Sequence, residues 1–144
     1  MWITILAIIG TIIIVGMGFY AVKLLLALRK QNQAFQQARL ERINRLTESI
    51  TIIAQAMQNK ECNHSEGVIR LRMLLEPLGK KLNQYPAMYE LFTVVQDMPT
   101  HEARRELIKK DRMRLDLTRE SAEAKLEENI MLELRQLLSD VKNY

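Results

Sequence analysis

MWITILAIIGTIIIVGMGFYAVKLLLALRK, residues 1–30, decides what kind of chain this is. No side chain from Met1 to Val22 carries a charge, and the apolar run resumes after Lys23 to Leu28 before Arg29 and Lys30 close it. An α-helix rises 1.5 Å per residue and the hydrocarbon layer is ~30 Å thick, so roughly 20 apolar residues cross it. Trp2 to Leu28 is longer than that. A cleaved export signal needs a basic start, a shorter apolar stretch and a small-x-small cleavage site, and this segment departs from all three. A buried core helix fits worse, because the rest of the chain is too short to cover such a run on every side. The segment reads as an uncleaved transmembrane anchor, residues 1–30, followed by a cytoplasmic domain, residues 31–144.

The orientation follows from the basic residues, which are retained on the cytoplasmic side. None precedes the span, whereas Lys23, Arg29, Lys30, Arg39, Arg42 and Arg45 follow. The N-terminus is therefore expected outside. Lys23 can run its stem along the apolar surface to the headgroups, and Trp2 suits an interfacial anchor at the other end. Gly10, Gly16 and Gly18 have only imperfect small-xxx-small spacing for close helix approach.

The formal charge of +4 suggests nucleic acid until it is divided by position. Lys23, Arg29 and Lys30 belong to the membrane boundary, which leaves 31–144 nearly neutral. Anionic headgroups account for the basic excess better than nucleic acid does. Cys62 has no second cysteine to pair with, which suits a reducing compartment.

Beyond the anchor, Gly occurs only at Gly67 and Gly79, and Pro only at Pro77, Pro86 and Pro99. Helix formers fill the intervals and no strand-like alternation is sustained, so the fold class is all-α, a bundle of four or five helices with a long C-terminal helix. The first soluble helix is expected over about Asn32 to Met57, with no breaker to separate it from the membrane helix. Ile43, Leu46, Ile50, Ile53 and Met57 recur at spacings of three and four and form a helix-pairing stripe. That stripe needs cover, either from a second copy or another protein, or from the chain's own C-terminal helix. Asn63 with Glu66 has the form of a capping box, with Ser65 as the alternative cap. Val68, Leu71, Leu75 and Leu78 give the next helix its face, ended by Pro77 and Gly79. Pro86 opens a short helix carrying Met88, Leu91, Phe92 and Val95. From Thr100 onward no Gly or Pro intervenes, which predicts either one helix of some 40 residues or two collinear pieces with a soft joint. On either reading Glu106 and Lys110 are spaced to pair along a helix. Leu107, Ile108, Leu115 and Ala122 make a thin stripe, while Leu126, Ile130, Leu134, Leu137 and Val141 make a continuous one, so the C-terminal half is expected to pack more firmly.

Charge in this last region is uneven. Arg104 to Arg119 holds seven basic and three acidic residues, whereas Glu120 to Asp140 holds six acidic and two basic. Arg104, Arg105, Lys109, Lys110, Arg112 and Arg114 form the candidate interaction surface, for anionic lipid or for RNA. The competing reading is a solvated face whose charges pair with Glu106, Asp111 and Asp116. Nucleic acid is disfavoured because no aromatic residue for stacking lies between Phe92 and Tyr144. Cys62, His64 and His101 fall short of the four ligands of a closed metal site, and neither a Walker loop nor a dinucleotide fingerprint is present. No metal, cofactor, catalytic residue or enzymatic activity is assigned. The methionines read chiefly as core filler.

SITIIAQAMQNKECNHSEGVIRL at Ser49 to Leu71 and PTHEARRELIKKDRMRLDLTRE at Pro99 to Glu120 resemble a family of small Gram-negative bacterial proteins known only as a domain of unknown function. The resemblance covers nearly the whole chain and implies a bacterial inner-membrane protein, without an activity or ligand to transfer. The expected role is a membrane-tethered helical interaction or scaffold module. The alternative is a membrane-surface binder of anionic lipid or RNA through residues 104–119.

Overall fold

A computed structural model describes residues 1–143. Among these residues there are five α-helices and no strand: α1 (Trp2–Gln58), α2 (His64–Leu75), α3 (Pro86–Val95), α4 (His101–Glu106) and α5 (Lys109–Lys142). Two 3-10 turns, Glu76–Leu78 and Leu82–Gln84, join α2 to α3. The chain divides into two units, Met1–Arg42 and a larger one beginning at Ile43.

The first unit is the leading part of α1. Its apolar stretch is long and apolar enough to cross a membrane, and none of it is buried. Ile5, Ile9, Ile13, Phe19, Leu24 and Leu28 are all exposed. The two threonines of the stretch bond to the helix's own backbone: the Thr4 hydroxyl donates to the Met1 carbonyl and that of Thr11 to the Ala7 carbonyl. With neither glycine nor proline between residues 31 and 58, the helix continues without interruption to Gln58, so the Gln-rich stretch 31–37 is helical.

The second unit has one core. Ile50, Ala54 and Met57 of α1 join Val68, Leu71 and Leu75 of α2, Met88, Leu91, Phe92 and Val95 of α3, and Leu126, Ile130, Leu134, Leu137 and Val141 of α5. Helical spacing selects these positions on α2, α3 and the C-terminal half of α5 apart from Leu78, which is half-buried; on α1, Ile43, Leu46 and Ile53 are half-buried and Ala54 adds to the stripe. Gly67 lets α2 approach α1: a Cβ there would lie well inside contact distance of the Met57 thioether. Gly79 ends the first 3-10 turn in the left-handed region, φ 74°, which a side chain would strain.

The structure corrects three local expectations. No side chain caps α2 from Asn63, and the Glu66 carboxylate bonds instead to Arg70 one turn on, so the capping box does not form. The last region is neither one helix nor two collinear pieces: Leu107 (ψ 145°) and Ile108 (ψ 146°) are extended, and α4 turns back beside the start of α5. Glu106 and Lys110 consequently lie on different helices and make no ion pair.

Candidate interaction face

Helix α5 organises the second unit with its carboxylates as well as with its apolar stripe. Glu133 accepts hydrogen bonds from the backbone N–H groups of Ala87 (2.7 Å) and Met88 (2.9 Å). Together with Tyr85 N–H, which donates to Leu82, and Pro86, which has no N–H, this satisfies every orphan donor of the α3 start. Glu123 performs the same service for α2, accepting from the Ser65 N–H at 3.2 Å and from its hydroxyl. A carboxylate at the positive end of a helix is favoured by the dipole as well as by the hydrogen bonds. Tyr85 donates its hydroxyl proton to Asp140 at 2.7 Å, and Glu127 pairs with Lys60 at 3.0 Å. The Lys60 ammonium holds the Glu127 carboxyl below the ordinary range. Much of the acidic segment is thus occupied in holding the fold.

The basic segment divides into two groups. Arg104 of α4 donates twice to Asp116 of α5, at 2.8 and 2.7 Å. Arg119 lies 3.8 Å from the same carboxylate. The Arg104 hydrogen bond lowers the Asp116 pKa most, desolvation opposes it, and the charges of Arg104, Arg119 and Arg112 add to the lowering. Arg104 and Arg112 of the expected surface therefore belong to the elbow between α4 and α5. Arg105, Lys109, Lys110 and Arg114 are exposed and make no ion pair among the described residues. Three apolar side chains stand among them: Ile108 is 72%, Met113 61% and Leu117 62% exposed. Lys110, Asp111, Met113, Arg114, Leu117, Thr118 and Ser121 line a shallow depression. Sequence periodicity missed this face, because Ile108 was assigned to a stripe with Leu107, and Met113 and Leu117 belonged to none.

The helix-pairing stripe is covered in part by the chain itself. Ile50 and Met57 are fully buried, Ile53 packs half-buried against them, and Ile43 and Leu46 are half-buried.

Elsewhere, a cleft of ≈ 300 Å³ is lined by Arg72, Glu76, Lys80, Lys81 and Tyr89, beside the Arg72 guanidinium stacked 4.4 Å over the Phe92 ring. Cys62 is half-buried and its thiol pKa is raised, first by burial and then by the Glu66 charge, against a lowering by Arg70. No group of three metal-binding side chains occurs among the described residues.

The family described as "Protein of unknown function (DUF2489)" matches residues 14–137, most of α1 and nearly all of the packed unit. The chain belongs to DUF2489. A relative, an uncharacterized protein of Haemophilus influenzae, is 54% identical over 136 residues, covering 94% of this chain and 93% of that one. An alignment of that extent takes in residues of both units of this DUF2489 protein. No solved structure matches the chain.

Proposed function

We propose that this DUF2489 protein is a single-pass, membrane-tethered interaction module, with its N-terminus outside and its packed helices in the cytoplasm. The observation that carries the reading is the apolar stretch of α1, exposed on every side while the core of the second unit closes without it. An exposed apolar surface of this extent is stable in hydrocarbon and a liability in water. The threonine hydroxyls bonded to their own backbone fit an environment with no water to bond to. The distribution of Lys and Arg supports the orientation.

Binding, rather than a reaction, is the role we assign. Ile50 and Met57 already have cover, so a protein or a second copy would meet the outer part of the α1 stripe, Ile43 and Leu46. Carbonate extraction of native membranes tests the tether: the chain is expected to stay in the pellet, and its release would overturn the reading. Photo-crosslinkers placed in living cells at Ile43 and Leu46 of the full chain test the interaction. Discrete adducts are expected, and their absence at both positions would overturn it.

A further inference from the structure

We propose that the outer face at the start of α5, Lys110, Met113, Arg114 and Leu117 with Lys109 at its edge, docks on anionic lipid headgroups. This rests on the membrane-tethered reading, since the bilayer concerned is the one in which α1 is anchored.

Helix geometry separates this face from the rest of α5. At ~100° per residue, Lys110, Met113, Arg114 and Leu117 fall within about 100° of arc, on the side away from Leu115, Ala122 and Leu126. Asp116 lies on the inward side, where it holds Arg104 and Arg119. Asp111 lines the same depression at one margin of the outward arc and Glu120 lies at the other, while within the arc from Lys110 to Ser121 the charged side chains are Lys110 and Arg114. Its cations are those that the elbow leaves without an ion pair among the described residues.

The apolar members indicate what covers the face. Met113 and Leu117 are 61% and 62% exposed. Met113 is followed by Arg114, and Lys110 precedes it by three residues. An apolar side chain beside a long cation suits the headgroup boundary, where the first enters the acyl region and the second spreads its charge among phosphates. A docked protein helix would require anchors at i, i+3 or i+4 and i+7, and only Met113 and Leu117 keep such a spacing. The depression along them is shallow, which suits a fluid surface better than an inserted side chain. The uncapped start of α5 adds its positive dipole end to the same side. Charge complementarity therefore selects an anionic bilayer.

The test uses the full chain, reconstituted into vesicles of phosphatidylcholine alone or mixed with phosphatidylglycerol. Cys62→Ser with Ser121→Cys carries a single environment-sensitive fluorophore beside the face. Acrylamide quenching is expected to fall in the phosphatidylglycerol vesicles and to recover in high salt. Each neutralised cation is expected to weaken docking about fivefold. Lys109→Gln, Lys110→Gln and Arg114→Gln together then lower the equilibrium roughly a hundredfold and restore quenching to the phosphatidylcholine level. All three positions are exposed, and unchanged circular dichroism confirms that the triple variant is folded. Equal quenching in both vesicle types, with the chain carbonate-resistant in each, overturns the docking and leaves the tether intact. Protection that needs added cytosolic protein or RNA also overturns it. Failure of the chain to remain in either vesicle overturns the tether reading itself.

Discussion

Glu133 shows how far a helix cap can lie from its helix in sequence. Its two oxygens take the Ala87 and Met88 amides, both on buried residues, so removing the carboxylate leaves two donors without a partner. Glu133→Ala is expected to cost about 2 kcal/mol, read as a lower urea midpoint, with Glu133→Gln costing less because one acceptor survives. A change in midpoint within experimental scatter would show that water replaces the cap. Asp116 gives a second residue-scale prediction, with its sign set by Arg104. The depressed folded-state pKa means that the carboxylate stabilises the fold above its unfolded pKa, and that this is lost as pH falls through the folded value. Carboxyl-carbon resonances should place the Asp116 midpoint below an ordinary aspartate, and Arg104→Gln should raise it; coincident midpoints would mean that the pair does not persist in solution. The Glu133 cap was not legible in the sequence, whereas the reading of a charge-paired basic segment expects Asp116 as a partner without singling out Arg104. Asn63 and Glu66 offered a local capping pattern, whereas the Glu123 carboxylate that serves α2 lies 58 residues from Ser65 and is chosen by tertiary packing.

At the scale of elements, periodicity was the dependable signal. The stripes on α2, α3 and the C-terminal half of α5 were read correctly because burial of one face repeats every three or four residues whatever the partner. The break at Leu107–Ile108 was invisible for the opposite reason: no Gly or Pro marks it, and the Arg104–Asp116 pair that spans it joins residues twelve apart, outside any helical spacing. Close approach of α1 and α2 was likewise hidden, since Gly67 in a helix signals only a local propensity cost until its neighbour is known. Gly67→Ala sets two effects against each other, about 1 kcal/mol gained in helix propensity and about 1–3 kcal/mol lost by crowding Met57, which is fully buried. Net destabilisation is expected in the native background. In a Met57→Ala background the crowding is gone, so the same substitution should become stabilising; an identical effect in both backgrounds would show that α2 and α1 are not in this contact.

On the proposed membrane-tethered reading, the whole molecule poses the question of which end faces the cytoplasm, and here the sequence carries the argument almost alone. The structure contributes an uninterrupted helix from Trp2 to Gln58, while orientation depends on where Lys and Arg lie along it. The basic residues near the span are all on its C-terminal side, beginning with Lys23, Arg29 and Lys30. Short flanks within about 15–20 residues of a span govern insertion, so this asymmetry should be both necessary and reversible. Cys62 offers a reporter, although its half-buried thiol with a raised pKa calls for labelling at alkaline pH. An impermeant maleimide is expected to leave it unmodified in intact spheroplasts and to modify it after permeabilisation. Placing three lysines ahead of Trp2 and changing Lys23, Arg29 and Lys30 to Gln should invert the chain and make Cys62 reactive from outside. Reaction from outside in the native chain would instead put the packed unit, with its lone thiol and its cationic α5 face, on the opposite side of the membrane, away from the leaflet where anionic lipid and retained positive charge coincide.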